Sequence, residues 1–415
     1  MKTPVPALIK RNTALLALSL SFSGAGMQFA YGFGPLMVIS LTGSSALAGL
    51  SVGLIGLSRF LIAYPIGKIA DTYGRKQAVY FGLCIALVGT LTLASAMYFR
   101  SILIFTFGLL VFGMGMNASQ QMRIAAADMY PNRMRAQALG FVALGSLFGL
   151  VLSPAIVKGA EYVGSNFGQD PLGIPWLFLP FLILMGMGIV SRVTPDPREI
   201  GRNIEVYFPG EPASVKRTAG TGQQFHVSKI FRDPRLRLAV VANAAANGNM
   251  SIVMVLTSLV LAHHGHTLVS IAISHMFHSL GMFAFTIPLG RIADRYGRMS
   301  VMVPGVATTL VGAALLAFTS SWLSITLGTF LVGIGWAGAN VAATAMIADH
   351  AAAEERGRAI GFNDTFAGAS SVFAALVTGP ILQWAGLPAT GLTAVLLAVI
   401  PFAMMALQRR SQVPA

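Results

Sequence analysis

The stretch GKIADTYGRK, residues 67–76, and its echo GRIADRYGRM, residues 290–299, decide how this chain folds. Each is a short charged segment with two glycines, set between long apolar runs, and the two lie 223 residues apart. A second pair repeats at nearly the same offset. ADMYPNRMRAQALGF at 127–141 aligns with ADHAAAEERGRAIGF at 348–362. Asp128, Arg135, Gly140 and Phe141 return as Asp349, Arg356, Gly361 and Phe362, each 221 residues on. Matching loops in matching order describe a duplicated unit whose copies share one topology, and such halves place a substrate site between them near mid-membrane.

Working outward, the composition fixes the solvent of these units. Of 415 residues, 55% are hydrophobic and only 10% are charged, against about 25% charged in soluble domains. Nearly uncharged runs of bilayer-spanning length recur throughout. Spans are expected roughly at 13–41, 45–65, 77–98, 101–129, 136–160 and 174–194, then at 235–262, 268–289, 300–319, 322–348, 359–383 and 387–408. The fold class is therefore an all-α membrane protein of twelve transmembrane helices in two six-helix halves. Residues 1–194 form the first half, 235–415 the second, and the Pro-, Gly- and Arg-rich stretch 195–234 a cytoplasmic linker.

The net charge of +14 does not indicate nucleic acid. Lys and Arg concentrate in the termini and in alternate loops, which marks those loops as cytoplasmic. An even number of spans then leaves both termini inside, and Arg409 and Arg410 agree. Lys10 and Arg11 precede an apolar stretch too long for a signal peptide, so it reads as an uncleaved first helix. Cys84 is the single cysteine, which excludes an intrachain disulfide and a cysteine-based metal motif. No phosphate-binding loop and no catalytic constellation is present, so the chain reads as a gradient-driven transporter and not an enzyme.

The charged loop after the second span resembles the signature of the major facilitator superfamily, with Gly67, Asp71, Gly74 and Arg75 at its positions. Gly290, Asp294, Gly297 and Arg298 occupy them in the second half, where Met299 replaces the last basic residue. The glycines allow tight turns and close helix approach, and the charges can pair with neighbouring helix ends. The resemblance implies a cytoplasmic gating latch at these residues; a loop that only sets topology is the alternative. It identifies a fold and leaves the substrate open.

Polar residues inside the spans are few. Asn243, Asn247, Gly248 and Asn249 lie mid-way along the seventh span, where a local helix break lining a cavity is one expectation and ordinary packing the other. Next come Met250 and Met254, spaced to share a helix face. The eighth span carries His278 and Met282 at the same spacing, with His275 extending the stripe outward. Between the two spans lie His263, His264 and His266, a candidate outer capture site for metal. At about 1.5 Å per residue, the four Met and His positions meet at similar depth near mid-membrane. Thioether and imidazole together select copper, Cu(I) above all, and harder cations would require carboxylates that these spans lack. Packing is the alternative for the methionines, which fill irregular gaps well. Histidine in mid-membrane is a functional candidate by default.

M-x-x-x-M in one span followed by H-x-x-x-M in the next is similar to the CcoA-type copper importers, within a subgroup that also includes riboflavin carriers. That resemblance implies a copper importer of the bacterial inner membrane supplying cytochrome oxidase assembly, with Met250, Met254, His278 and Met282 as ligands. Copper is then the cargo, no cofactor is implied, and the working form is a monomer in the lipid bilayer. A flavin or another small organic molecule is the second expectation, supported by Gln28, Tyr31, Asn117, Gln120 and Gln121 in the first and fourth spans. Arg59, Arg123 and Asp364 are the remaining charges at membrane depth. Arg123 is expected to pair with Asp128, and Asp364 is a candidate for proton coupling or a structural charge pair. His226 and His350 read as solvated, and Met346 with His350 as a weak exit pair.

Overall fold

Apolar segments in a bilayer must satisfy every backbone amide internally, and helices do this within one segment. The computed structural model describes residues 5–131, 134–209, 227–350 and 356–410, nearly all of them helical. His226, most of the linker's second part and the repeat segment 351–355 lie outside the described residues.

Chain order runs α1 (Ala7–Thr42), α2 (Leu50–Tyr73), α3 (Arg75–Tyr98), α4 (Ile102–Ser119), α5 (Gln121–Asp128), α6 (Arg135–Phe167) and α7 (Pro175–Ser191). The short helices α8 (Pro197–Arg202), α9 (Ile204–Tyr207) and α10 (Val227–Arg232) follow. The second series is α11 (Pro234–His263), α12 (Leu268–Ala284), α13 (Thr286–Tyr296), α14 (Met299–Phe318), α15 (Trp322–His350) and α16 (Arg356–Arg410). Ten helical stretches among the described residues are long and apolar enough to cross a membrane. The 17-residue α7 and the division of α16 at Gly386 (φ 78°, ψ −178°) bring the crossings to twelve. Gly386 is where the sequence leaves its gap between the last two spans, because a left-handed φ followed by Pro388 ends one helix and starts another.

The chain divides into two units: Met1–Phe33 with Leu57–Arg217, and Gly34–Gly56 with Thr218–Ala415. This division departs from the sequence boundaries twice. The 34–56 segment groups with unit 2, where α16 sits directly on it: a Cβ at Gly49 would lie 1.7 Å from the Ala375 carbonyl oxygen. The first part of the expected linker is also not a tether. Ile200, Ile204 and Phe208 are buried, and the Phe208 ring lies 6.4 Å from Tyr130 in unit 1. Asp196 explains why this segment docks: its carboxylate accepts from the backbone amides of Arg75 (3.2 Å), Lys76 (3.0 Å) and Arg198 (2.8 Å). One side chain thus caps α3 and α8 together.

The helix break expected around Asn243–Asn249 is absent, and α11 runs unbroken through it. Neighbours engage the amides that make this stretch look weak, while Asn243 Nδ2 and Asn249 Oδ1 stay buried without a partner among the described residues. Asn247 donates to the Asn243 carbonyl oxygen (2.9 Å) and side-chain oxygen (3.1 Å), Trp336 Nε1 donates to Asn247 (3.0 Å), and Asn249 donates to the Ala394 carbonyl (2.6 Å). Gly248 serves close packing: a Cβ there would lie 2.8 Å from Ser370 Oγ and 2.9 Å from Leu397.

Candidate functional site

The two signature loops have the same construction in each unit. Gly74 (φ 116°) joins α2 to α3, and Gly297 (φ 94°) ends α13 before α14. A side chain is strained at such angles, so both glycines are required by the turn. Arg75 pairs with Asp71 (3.2 Å) and with Asp128 at the end of α5 (2.7 Å). Arg298 repeats this with Asp294 and with Asp349 in the last turn of α15 (2.8 Å). Hydrogen bonding to Asp349 first, and then to Asp294, raises the Arg298 pKa above its already high value. Gly67 differs from the close approach expected of it, whereas a Cβ at Gly74 would lie 2.7 Å from Asp196 Oδ2. Among the described residues nothing lies within 4 Å of a Cβ at Gly67, and only Val341 touches that distance at Gly290.

Asp128 being held by Arg75, it does not pair with Arg123; among the described residues Arg123 has no ion pair, and its Nε is buried without a partner. Asp364 is half-buried on α16 and accepts from Asn363 Nδ2 (3.3 Å).

The Met and His stripe lies in unit 2. His275 and His278 are fully buried, Met254 is buried, and Met250 and Met282 are half-buried. His275 Nε2 shares a 2.8 Å hydrogen bond with Ser258 Oγ on α11. That bond sets the register of two helices joined by a short turn. Counting in opposite directions from it brings Met254 level with His278 and Met250 level with Met282, each within about one 1.5 Å residue step. His278 Nδ1 donates to the Thr329 carbonyl on α15 (2.8 Å). The neutral ring then carries its lone pair on Nε2, which is buried and has no partner; His275 Nδ1 is likewise buried without a partner. A backbone carbonyl that fixes the tautomer in this way also orients an imidazole for ligation. Thr329 Oγ1 bonds Thr257 Oγ1 (2.9 Å), and Ser274 bonds Thr326 (2.6 Å). This hydroxyl and imidazole network ties α11, α12 and α15 together.

The outer histidines are arranged differently. His263 and His264 are exposed, with ring planes 87° apart, and His266 is half-buried. His264 Nδ1 donates back to the Val260 carbonyl (2.8 Å), which turns the ring along its own helix. No three His, Cys, Asp or Glu side chains converge as a metal cluster among the described residues. At the other end of α15, His350 Nδ1 donates to the Met346 carbonyl (2.8 Å) while the Met346 side chain is buried in the core.

Sequence reasoning missed Ser258, Thr329 and Asp196. Ser258 has a local signal, since it continues the four-residue stripe of Met250 and Met254. Thr329 has none, because its role rests on a carbonyl 51 positions from His278. In unit 1, Gln120 is exposed and Asn117, Gln121 and Tyr31 are half-buried. Asn117 Nδ2 donates to Ser58 Oγ (3.1 Å), joining α4 to α2.

The family model described as Major Facilitator Superfamily matches residues 15–277 and 238–414. A riboflavin transporter, RfnT of Brucella anthropi, is 27% identical over 394 residues, covering 91% of this chain and 90% of that protein. An uncharacterized MFS-type transporter, YdeG of Bacillus subtilis, is 26% identical over 390 residues, covering 91% and 86%. The crystal structure of a D-xylose-proton symporter superposes with a TM-score of 0.72 at 13% identity, covering 96% of this chain and 98% of that one.

Proposed function

Since this chain belongs to the Major Facilitator Superfamily and is a secondary transporter, we propose that it imports a small organic molecule, riboflavin first among those to test. The cell membrane is that of a bacterium, both termini are cytoplasmic, and the cargo moves by alternating access. The observation that carries this reading is similarity to a riboflavin transporter along nearly the whole of both chains. The relatives back an organic cargo better than copper, the cargo expected from the Met and His motifs. The amide groups of Asn117, Gln120 and Gln121 suit a multiply hydrogen-bonding ligand of that kind.

Copper is the second reading, and one observation favours it. His275 and His278 each keep a buried ring nitrogen without a partner, on the face level with Met254 and Met282. A buried polar atom left unbonded costs about 1–3 kcal/mol, and a soft ion would remove that cost. On this reading the outer histidines collect the ion, Met254 with His275 passes it inward, and Met250, His278 and Met282 hold it.

The test is uptake by the purified transporter in liposomes, with riboflavin, copper and zinc compared side by side in wild type and His278→Ala. Riboflavin accumulation that survives the substitution is the expected result. Copper accumulation without riboflavin, lost in His278→Ala, selects the second reading. Accumulation of neither rejects both.

A further inference from the structure

Two cations of unit 1 have no carboxylate to answer them among the described residues. Arg59 stands on α2 and Arg123 on α5, and both helical stretches belong to that unit. Neither arginine forms an ion pair among the described residues. The natural partner for Arg123 is Asp128, but that carboxylate is held by Arg75 at 2.7 Å. The Arg123 Nε is buried without a hydrogen-bond partner, and so is Gln121 Oε1 two residues away.

Asn117, Gln120 and Arg123 follow one another at three-residue steps from α4 into α5, and Gln121 lies one turn on from Asn117. The Asn117–Ser58 hydrogen bond sets this stripe beside α2, one residue from Arg59. Since α3 is the return crossing between them, α2 and α4 run in the same direction. Arg123 then lies about five residues deeper than Arg59, roughly 7–8 Å along the axis. Arg59 and Gln120 are exposed. An arginine facing hydrocarbon at mid-membrane costs about 2.5–3.5 kcal/mol, so the stretch of α2, α4 and α5 that carries two of them with three amides is expected to meet water.

We propose that Arg59 and Arg123 recognise an anionic group of the cargo, a carboxylate or a phosphate. A guanidinium offers a planar fork of donors that matches both anions and never loses its charge. Arg59 meets the anion near mid-membrane, Arg123 receives it closer to the cytoplasmic end, and the amides between them hydrogen-bond the rest of the molecule. The proposal rests on the importer reading and narrows its cargo to an anionic molecule, of which neutral riboflavin is a more weakly bound analogue. The anion is either part of an organic molecule or part of a chelator that carries a metal ion.

The test uses two probe pairs that differ in charge: riboflavin against flavin mononucleotide, and copper ion against copper citrate. Binding to the purified full-length transporter is measured for wild type, Arg59→Gln, Arg123→Gln and Arg123→Lys. In wild type, the anionic member of at least one pair binds about tenfold or more tighter than its counterpart. Raising the ionic strength weakens that binding. The preference collapses in both glutamine variants and survives in Arg123→Lys. Should a glutamine variant not accumulate, the lysine variant and the salt dependence still decide. Equal affinity within both pairs, no binding of either anionic probe, or a preference unchanged in both glutamine variants overturns the proposal. An anionic probe that binds without riboflavin or copper accumulating in liposomes rejects the cargo reading and keeps the anion site.

Discussion

Replacing Gly333 with alanine tests the seam that holds the buried histidines in place. Gly333 lies on α15, and a Cβ there would sit 2.2 Å from the His278 carbonyl oxygen and 3.2 Å from the Met282 amide nitrogen. Ordinary contact begins near 3.4 Å, and both obstacles are backbone atoms that cannot rotate away. The two helices must therefore part by more than about 1 Å, an overpacking cost of roughly 1–3 kcal/mol. Separation also stretches the hydrogen bonds across the seam: His278 to Thr329 (2.8 Å), Ser274 to Thr326 (2.6 Å) and Trp322 to Ser270 (3.1 Å). Losing one of these adds about 0.5–1.5 kcal/mol, for a total of roughly 2–4 kcal/mol. At about 2–4 °C per kcal/mol for a unit of some 200 residues, the melting temperature falls by roughly 4–16 °C. Gly361→Ala in α16 is the control. Nothing described lies within 4 Å of its Cβ, and alanine in a helix gains up to about 1 kcal/mol over glycine. Thermal unfolding of the detergent-purified proteins reads both variants. A Gly333→Ala protein that melts with wild type, or a Gly361→Ala protein that falls as far, refutes the packing argument.

Three further substitutions probe the helix ends around the signature loops. The Arg75–Asp128 pair is more buried than the Arg298–Asp349 pair, with side chains 18% and 25% exposed against 24% and 48%. Arg75→Gln is expected to cost about 1.5–3 kcal/mol and Arg298→Gln under about 1 kcal/mol, and the order of their melting temperatures checks this. Asp196→Ala removes the acceptor for three backbone amides. A loss of about 1–2 kcal/mol follows, along with faster proteolysis between residues 195 and 209.

The scaffold was legible because its signals are local. Duplicated loops at 67–76 and 290–299 announce two copies of one unit, and apolar run lengths count the crossings. Gly74 and Gly297 fall where a turn needs a positive φ, and Gly386 with Pro388 divides the last two crossings. Long-range contacts were not legible. Asn243, Asn247 and Asn249 resemble a weak point until Trp336, Asn340 and Ala394 supply their partners from distant positions. Asp196 and Pro197 look like a loop signal and indeed start a helix, but nothing local says that α3 is capped by the same carboxylate. At the candidate site, the Met and His stripe was visible from its spacing. The bonds that orient it, from Ser258 and Thr329, depend on which helices are neighbours. The cargo is the least legible, since spacing names a ligand set and the relatives point to a different one.

The docking of residues 195–209 onto the first body changes where this protein can be cut. Fragments divided after residue 194, where the apolar pattern ends, strip the first body of its plug and leave the third helix with a bare start. Fragments divided beyond residue 209 keep the plug with its socket. Co-expressed pieces of the second kind should reassemble into a working carrier far more readily than pieces of the first, so the seam for engineering lies about fifteen residues past the one that hydropathy marks.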